Sequence, residues 1–255
     1  MPRVVPAVMR SLDILELFLD HPRLSAREIA EKLDLPRTTV HELLVTLVAR
    51  SYLISVPGQP VVYRLGVSVL GLSAAFAGQL DLVREAQEVA QEVAAACDEA
   101  VHVAVLDGTD VIYLVKVDST HPVRMVSAVG RRLPAHCTAV GKMLLSSLDR
   151  AGLDALVPEG ALAAMTPASI TDPDRLRGEL DRVRAADVAV DDGESDSAVR
   201  CVAAPVRDHT GRTVAAMSVS APIIRWTPSA HEEWTRLVRQ GAVTLSVRLG
   251  YRLPA

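Results

Sequence analysis

Aromatic side chains are scarce in this chain: two Phe, two Trp and four Tyr make up 3% of its 255 residues. Its core must therefore be mostly aliphatic, with Leu and Met as the expected walls of any pocket. Cysteine is scarcer still. Cys97, Cys137 and Cys201 are odd in number and widely spaced, so neither a disulfide framework nor a CxxC zinc pattern can be assembled from them. No apolar run reaches the ~20 residues that cross a bilayer. The opening MPRVVPAVMRSLD has neither the h-region nor the cleavage site of a secretory signal. Repeats and low-complexity tracts are missing too. These absences imply a reduced, cytoplasmic globular protein with no membrane partner, long enough for two modest domains. No cofactor is expected, and no residue is singled out as a metal ligand.

An excess of positive charge is also missing. The formal net charge is −4; residues 1–66 carry +1 and the remainder −5. A protein-wide field that would draw in polyanions is therefore excluded, and any phosphate attraction must come from local arginines. Arg3, Arg10, Arg27, Arg37 and Arg64 are the candidates.

What is present is concentrated between Ser25 and Leu65. SAREIAEKL opens with a capping box, Ser25 as N-cap and Glu28 at the reciprocal position. Ile29, Ala30 and Leu33 supply its apolar face. The pattern breaks at Asp34-Leu35-Pro36 and restarts as a second helix, with Pro36 suited to a first helical position and Asp34 to a left-handed turn. Val40, Leu43, Leu44 and Leu47 should face the core, leaving Arg37, Thr38, Thr39, His41 and Glu42 in front. Two β-branched runs, YLISV and VVYRL, flank Pro57-Gly58-Gln59-Pro60, a hairpin signature. Helix, sharp turn, helix and hairpin together predict a winged helix-turn-helix whose second helix enters a DNA groove. An amphipathic segment over residues 6–20 (Val8, Leu12, Leu15, Leu17, Phe18, Leu19) should pack behind it.

Beyond the wing, GVSVLGLSAAFAGQL is small, apolar and helical in character. Gly66, Gly71 and Gly78 make it a linker helix in need of a neighbour, either a symmetry mate or the second domain. From Leu82 the pattern gives a helix, two strands (VHVAVLD and VIYLVKVD) around Gly108-Thr109-Asp110, and a third extended piece, PVRMVSAVG. A helix over roughly 138–147 follows. Next come a charged surface helix capped by Asp172, two strands (RCVAAPVRD and RTVAAMSVSAP) and a final helix over about 228–249. Helices interspersed with antiparallel hairpins indicate an α+β sandwich around one sheet. The division expected is a winged-helix domain over 1–66, a linker helix over 67–80 and a second domain over 81–255.

These pieces resemble the IclR family of bacterial transcriptional regulators. The resemblance rests on the winged helix, the YRLG junction, GRRLPAHCTAVGK, and AVDDGESDSAVRCVAAPVRD followed by a Gly turn and AAMSVSAP. It implies an α+β fold in which an N-terminal winged helix-turn-helix is joined by a linker helix to a GAF-like α/β effector-binding domain. It also implies dimers or tetramers, and control of a catabolic operon by repression or activation. Double-stranded operator DNA and a small organic effector are then the expected partners. Ser25, Arg27, Pro36, Arg37, Thr38, Thr39, His41, Glu42 and Arg64 form the expected DNA-binding set, with Arg64 and the wing tip reaching flanking backbone or minor groove. Carried over position by position, the effector set has apolar walls at Met125 and Leu133 and backbone donors at Ala139 and Val140. Polar side chains at Asp191, Cys201, Ser218 and Ser220 complete it. Such sites take carboxylates or aromatic acids; an ionised Asp191 would repel a carboxylate, so the effector should also offer an O–H or N–H donor.

Elementary chemistry supports part of this. A helix N-terminus presents unpaired N–H donors to an anion, and Ser218 and Ser220, two apart on a strand, share one face. The chain also departs from the family pattern. Glu42 stands where many members carry Arg, and there it can accept from a cytosine amino group or pair with Arg37 or another basic neighbour. Asp187-Val188 replaces a common Gly-Tyr, and Asp34 a usual Gly. Asp191 itself reads either as a ligand contact or as a solvated loop residue beside Asp192.

Two alternatives use the same residues differently. A thiol enzyme would pair Cys137 or Cys201 with His102, His136 or Asp191. No nucleophile motif surrounds either Cys, and the adjacent His136 and Cys137 should diverge. A metal sensor would use His102, His121, His136, Cys137 and Cys201, whose spacing matches no compact zinc pattern.

Overall fold

The computed structural model describes residues 4–72, 82–122, 127–157 and 160–253. It divides into two compact units, residues 1–80 and 81–255.

In the first unit α1 (Pro6–Asp20), α2 (Ala26–Leu33) and α3 (Arg37–Ala49) enclose an aliphatic core of Ile14, Ile29, Val40, Leu44 and Leu53 with Phe18. The capping box forms as the sequence requires. Ser25 Oγ accepts the Glu28 N–H at 3.3 Å, and Glu28 Oε2 accepts the Ser25 N–H at 2.7 Å. Asp34 takes the left-handed conformation (φ 49°, ψ 47°), turning the chain sharply between α2 and α3. Pro36 sits one position earlier than expected: α3 begins at Arg37 and Pro36 occupies its N-cap. The wing pairs β2 (Leu53–Val56) with β3 (Val62–Leu65), antiparallel. A two-residue strand, β1 (Leu24–Ser25), adds to the outer side of β3 and ties the start of α2 to the wing. Nothing in the local pattern announces so short a strand. The expected packing of α1 needs correction. Ile14 and Phe18 are buried, whereas Val8, Leu12 and Leu19 are exposed. Residues 67–72 are helical, as the linker pattern implies; residues 73–80 lie outside the described ones.

The second unit is built on one antiparallel sheet of six strands in the order β6-β5-β4-β9-β8-β7. Its strands are β4 (Ala100–Asp107), β5 (Asp110–Val117), β6 (Arg132–Pro134), β7 (Ala189–Asp192), β8 (Val199–Arg207) and β9 (Thr213–Pro222). Gly108 (φ 61°) makes the β4–β5 turn. Alternation along the strands gives the sheet two chemically distinct faces. One carries Val101, Val103, Val202, Met217 and Val219 toward α4 (Leu82–Cys97) and α8 (Pro228–Arg248). There the approach is so close that a Cβ on Gly241 would lie 2.5 Å from Val93 Cγ2 and 2.9 Å from Met217 Sδ. The other face packs on α5 (Ala139–Ser146) and α7 (Pro173–Ala186) through Leu144, Leu145, Leu176, Leu180 and Val183. Asp172 caps α7 by accepting the Arg175 N–H at 2.7 Å. Two elements depart from the sequence reading: α6 (Arg150–Leu156) was not anticipated, and the acidic stretch containing Asp191 is the edge strand β7 rather than a loop. Residues 123–126 of the extended piece expected over 122–130 lie outside the described residues.

Candidate DNA-reading and effector sites

On the first unit, α3 presents Arg37, Thr38, His41 and Glu42 to solvent, with Thr39 half-buried. Among the described residues Arg37, His41, Glu42 and Arg64 have no side-chain partner, so of the alternatives for Glu42 the pairing with Arg37 or another basic neighbour is not formed. A free carboxylate thus stands on the reading helix. Arg64 projects from β3 opposite Ile54. Arg27 is held by Glu31 at 2.7 Å, an exposed i,i+4 pair that solvent leaves weak. Ser25 is 6% exposed and its hydroxyl is engaged with Glu28, which positions the start of α2. Pro36 is exposed at the head of α3.

On the second unit, strand register assembles a polar row that no single segment contains. Asp191 on β7 faces Cys201 on β8, which faces Ser220 on β9; one step along, Ala203 faces Ser218, which faces His102 on β4. Directly paired residues of an antiparallel sheet share a face, so these groups all point toward α5 and α7, and all are buried. Ala139, Val140 and Cys201 belong to the same packed cluster, with Leu133 against its border. Thr138 caps α5 by accepting the Gly141 N–H at 3.0 Å, and its carbonyl accepts the Lys142 N–H at 2.9 Å. The Ala139 and Val140 N–H groups have no partner among the described residues. Gly141 lets the preceding 3-10 turn (Ala135–Cys137) press onto the helix, since a Cβ there would meet the Ala135 carbonyl oxygen at 2.1 Å. Met125 lies outside the described residues.

Asp191 is fully buried rather than solvated. Its Oδ1 accepts the Glu194 N–H at 2.6 Å and the Ser195 N–H at 3.3 Å, while Oδ2 accepts the Ser195 hydroxyl at 2.5 Å. Burial outweighs these bonds and raises its pKa to about 6. Much of its accepting capacity is spent on its own loop. That loop is clamped from the other side by Lys142, which is 1% exposed and reaches Glu194 Oε1 at 2.5 Å and Glu179 at 3.4 Å. A buried ion pair therefore joins the GRRLPAHCTAVGK block to the DDGES block.

Sequence reasoning underused several residues here. His102 entered it only as a partner for thiols or metal, and Tyr113, Lys142, Glu179 and Glu194 not at all. The alternation of AVHVAVLD places His102 with Ala100 and Ala104, but its meeting with Ser218 and Ser220 depends on β4 pairing β9, more than 100 residues later. Tyr113 lies across β4–β5 beside Ala104, its ring 4.9 Å from that of His102.

The thiols are poor nucleophiles. Burial pushes Cys97 up to about 11 and raises Cys137 and Cys201 as well. His136 and Cys137 do not diverge as expected, because both reach the Ala163 carbonyl, at 2.9 and 4.0 Å. Among the described residues no three His, Cys, Asp or Glu side chains gather as a metal site. Two open cavities of the unit lie off the polar row. One of about 420 Å³ borders Ser147, Arg184, Arg207 and Arg212, and one of about 310 Å³ borders His136, Leu145, Leu156 and Leu176.

A winged helix-turn-helix in one unit and an α/β unit with a buried polar face in the other are the architecture of a DNA-binding transcriptional regulator with an effector domain. The family comparison agrees throughout. The IclR helix-turn-helix domain matches residues 7–57, and the bacterial transcriptional regulator IclR C-terminal domain matches residues 74–247. The chain belongs to the IclR family. It is 31% identical to the HTH-type transcriptional regulator XynR of Escherichia coli strain K12, over 97% of this chain and 98% of that protein. Its fold is similar to that of the Agobacterium tumefaciens repressor BlcR (TM-score 0.82, 29% identity, 98% of this chain and 99% of the other). It is also similar to an IclR homolog of Microbacterium hydrocarbonoxydans complexed with 4-hydroxybenzoate (TM-score 0.59, 25% identity, 95% and 98% covered). Among the described residues no helix is long and apolar enough to cross a membrane.

Proposed function

We propose that this protein is a ligand-responsive regulator of a catabolic operon, reading operator DNA with α3 and the wing and binding a small organic acid or amide-like molecule in the second unit. The observation that carries the ligand reading is the buried row of Asp191, Cys201, Ser218 and Ser220 packed toward the α5 N-terminus, where two N–H donors are unspent. Ser195 and His102 already hold Asp191 and Ser220, so an oxygen-bearing ligand would take up the remaining capacity of the row and the two unspent N–H groups. Arg37, Thr38, Thr39 and His41 would approach bases or phosphates, helped by Arg64, Arg27 and the wing, with the free Glu42 accepting from a base amino group. Homodimers or homotetramers would present paired reading helices to half-sites about one DNA turn apart. Ligand binding would change that spacing and hence operator affinity.

Footprinting of promoters beside this gene, with and without candidate acids, tests the whole reading: a protected, ligand-sensitive site is expected, and protection nowhere would end it. For the ligand site, 4-hydroxybenzoate and pyruvate serve as calorimetric probes. Ser218→Ala/Ser220→Ala should abolish heats seen with the unsubstituted protein. Asp191→Asn tests direct contact: unchanged binding would leave Asp191 as a loop anchor alone.

A further inference from the structure

We infer that His102 is a specificity-determining residue of the effector site, acting through a Ser127–His102–Ser220 hydrogen-bond chain that decides whether Ser220 offers the ligand a proton or a lone pair. The inference rests on the reading of this sheet face as the effector site and adds to it a residue on a strand that supplies none of the expected ligand contacts.

The geometry is that of a side chain held at both ends. His102 is 1% exposed. Its Nε2 lies 2.8 Å from Ser127 Oγ and its Nδ1 3.4 Å from Ser220 Oγ. Tyr113 covers one side of the imidazole at a 47° tilt. Ser127 is fixed in turn, because Lys116 Nζ donates to its carbonyl at 2.8 Å and is itself paired with Asp118 at 2.9 Å. The pairing of His102 with Ser218 across β4–β9 puts the ring on the same sheet face as the polar row.

Such a ring carries one proton, not two. Burial, and secondarily the neighbouring Lys116 ammonium, depress its pKa to about 4, so the imidazole is neutral across the physiological range. A neutral imidazole donates from one nitrogen and accepts at the other. If Nδ1 carries the proton, Ser220 Oγ accepts from His102 and its own O–H can turn from the neighbouring Cys201 sulfur to a ligand oxygen. If Nε2 carries it, Ser220 must donate to Nδ1, and only its lone pairs remain for a ligand. The two tautomers thus select opposite ligand groups. With the Ala139 and Val140 N–H groups nearby, the Nδ1–H form completes a set of donors. The structure therefore assigns that form, and with it a ligand whose carboxylate or carbonyl oxygen docks on Ser220. Ser127 then donates to Nε2, and its hydroxyl is what holds the tautomer.

Nitrogen NMR on ¹⁵N-histidine-labelled protein reads the tautomer without any ligand. A single neutral Nδ1–H signature for His102, lost or mixed in Ser127→Ala, is expected. An Nε2–H form, or a signature indifferent to Ser127→Ala, would overturn the inference while leaving the effector site untouched. Calorimetry with 4-hydroxybenzoate and pyruvate supplies the second reading. Ser127→Ala, which touches no expected ligand contact, should weaken binding about tenfold, the worth of one hydrogen bond. His102→Phe should weaken it at least as much, and His102→Asn, whose amide can occupy the Nδ1 place, should restore most of it. His102→Phe binding as tightly as the unsubstituted protein refutes the assignment. Should Ser218→Ala/Ser220→Ala also leave binding intact, the effector-site reading itself falls, whatever the tautomer.

Discussion

At the scale of single residues, side chains of the same type have opposite fates, and their surroundings decide which. Arg27 is tied to Glu31, whereas Arg37 at the head of α3 is unpaired and free to meet DNA. Arg37→Ala should lower operator affinity about tenfold in a mobility-shift assay at fixed salt; full retention would exclude an essential contact. Asp192 is exposed and held by Arg200, while its neighbour Asp191 is sealed inside and its pKa lifted to about 6. The consequence for stability has a definite sign. A carboxyl with a raised folded-state pKa binds its proton more tightly in the native protein than in the unfolded chain. Its contribution is therefore full below the unfolded value of 3.8 and is lost as pH rises through about 6. The loss amounts to a few kcal/mol, on the order of 1.4 kcal/mol per pH unit of separation. Denaturant titrations from pH 4 to 7 should show Asp191→Asn gaining on the unsubstituted protein as pH rises. A constant difference between the two would place the titration elsewhere.

Elements are held in register by devices of unequal legibility. Caps are local and readable: Ser25 with Glu28, Asp172 and Thr138 each act within three residues of themselves. The Lys142–Glu194 pair spans 52 positions and joins α5 to the β7–β8 loop. Its worth is best judged by breaking it in two ways. Lys142→Met alone should cost ~3–5 kcal/mol because it strands a buried carboxylate, and Lys142→Met/Glu194→Gln should recover a large part of that. Thermal melts of the two variants check this. Equal losses would mean that packing of the lysine stem, rather than charge, is what α5 requires.

For the whole molecule, the composition and the exposed surface of the first unit point outward. Val5, Val8, Met9 and Leu12 form an exposed apolar stripe along α1, at the spacing of one helix face. Such a stripe is expected to be covered in an oligomer. Val8→Asp/Leu12→Asp should shift the species seen by analytical ultracentrifugation toward monomer and weaken operator binding with it, by loss of paired reading heads. An unchanged sedimentation profile would assign self-association to another surface. The net charge of +1 over residues 1–66 adds that operator affinity should depend on a few local arginines rather than on a broad field.

The sequence by itself determined most of the elements, though β1, α6 and β7 escaped it. Period-3.6 and period-2 patterning, the capping box, the Asp34 turn and the hairpin punctuation act over a few residues, so the winged helix and most of the second unit were legible without coordinates. Family spacing added the polar set of Asp191, Cys201, Ser218 and Ser220. Only the tertiary structure decided who meets whom. The pairing of β4 with β9 brought His102 to Ser218 and Ser220, and the pairing of β7 with β8 on the helix-covered face buried Asp191. The clamp of Lys142 on Glu194, and the outward turn of half of α1, were settled the same way. Long-range register follows from the summed burial of two sheet faces and two helix layers. That sum belongs to no segment of the chain, and no local pattern encodes it.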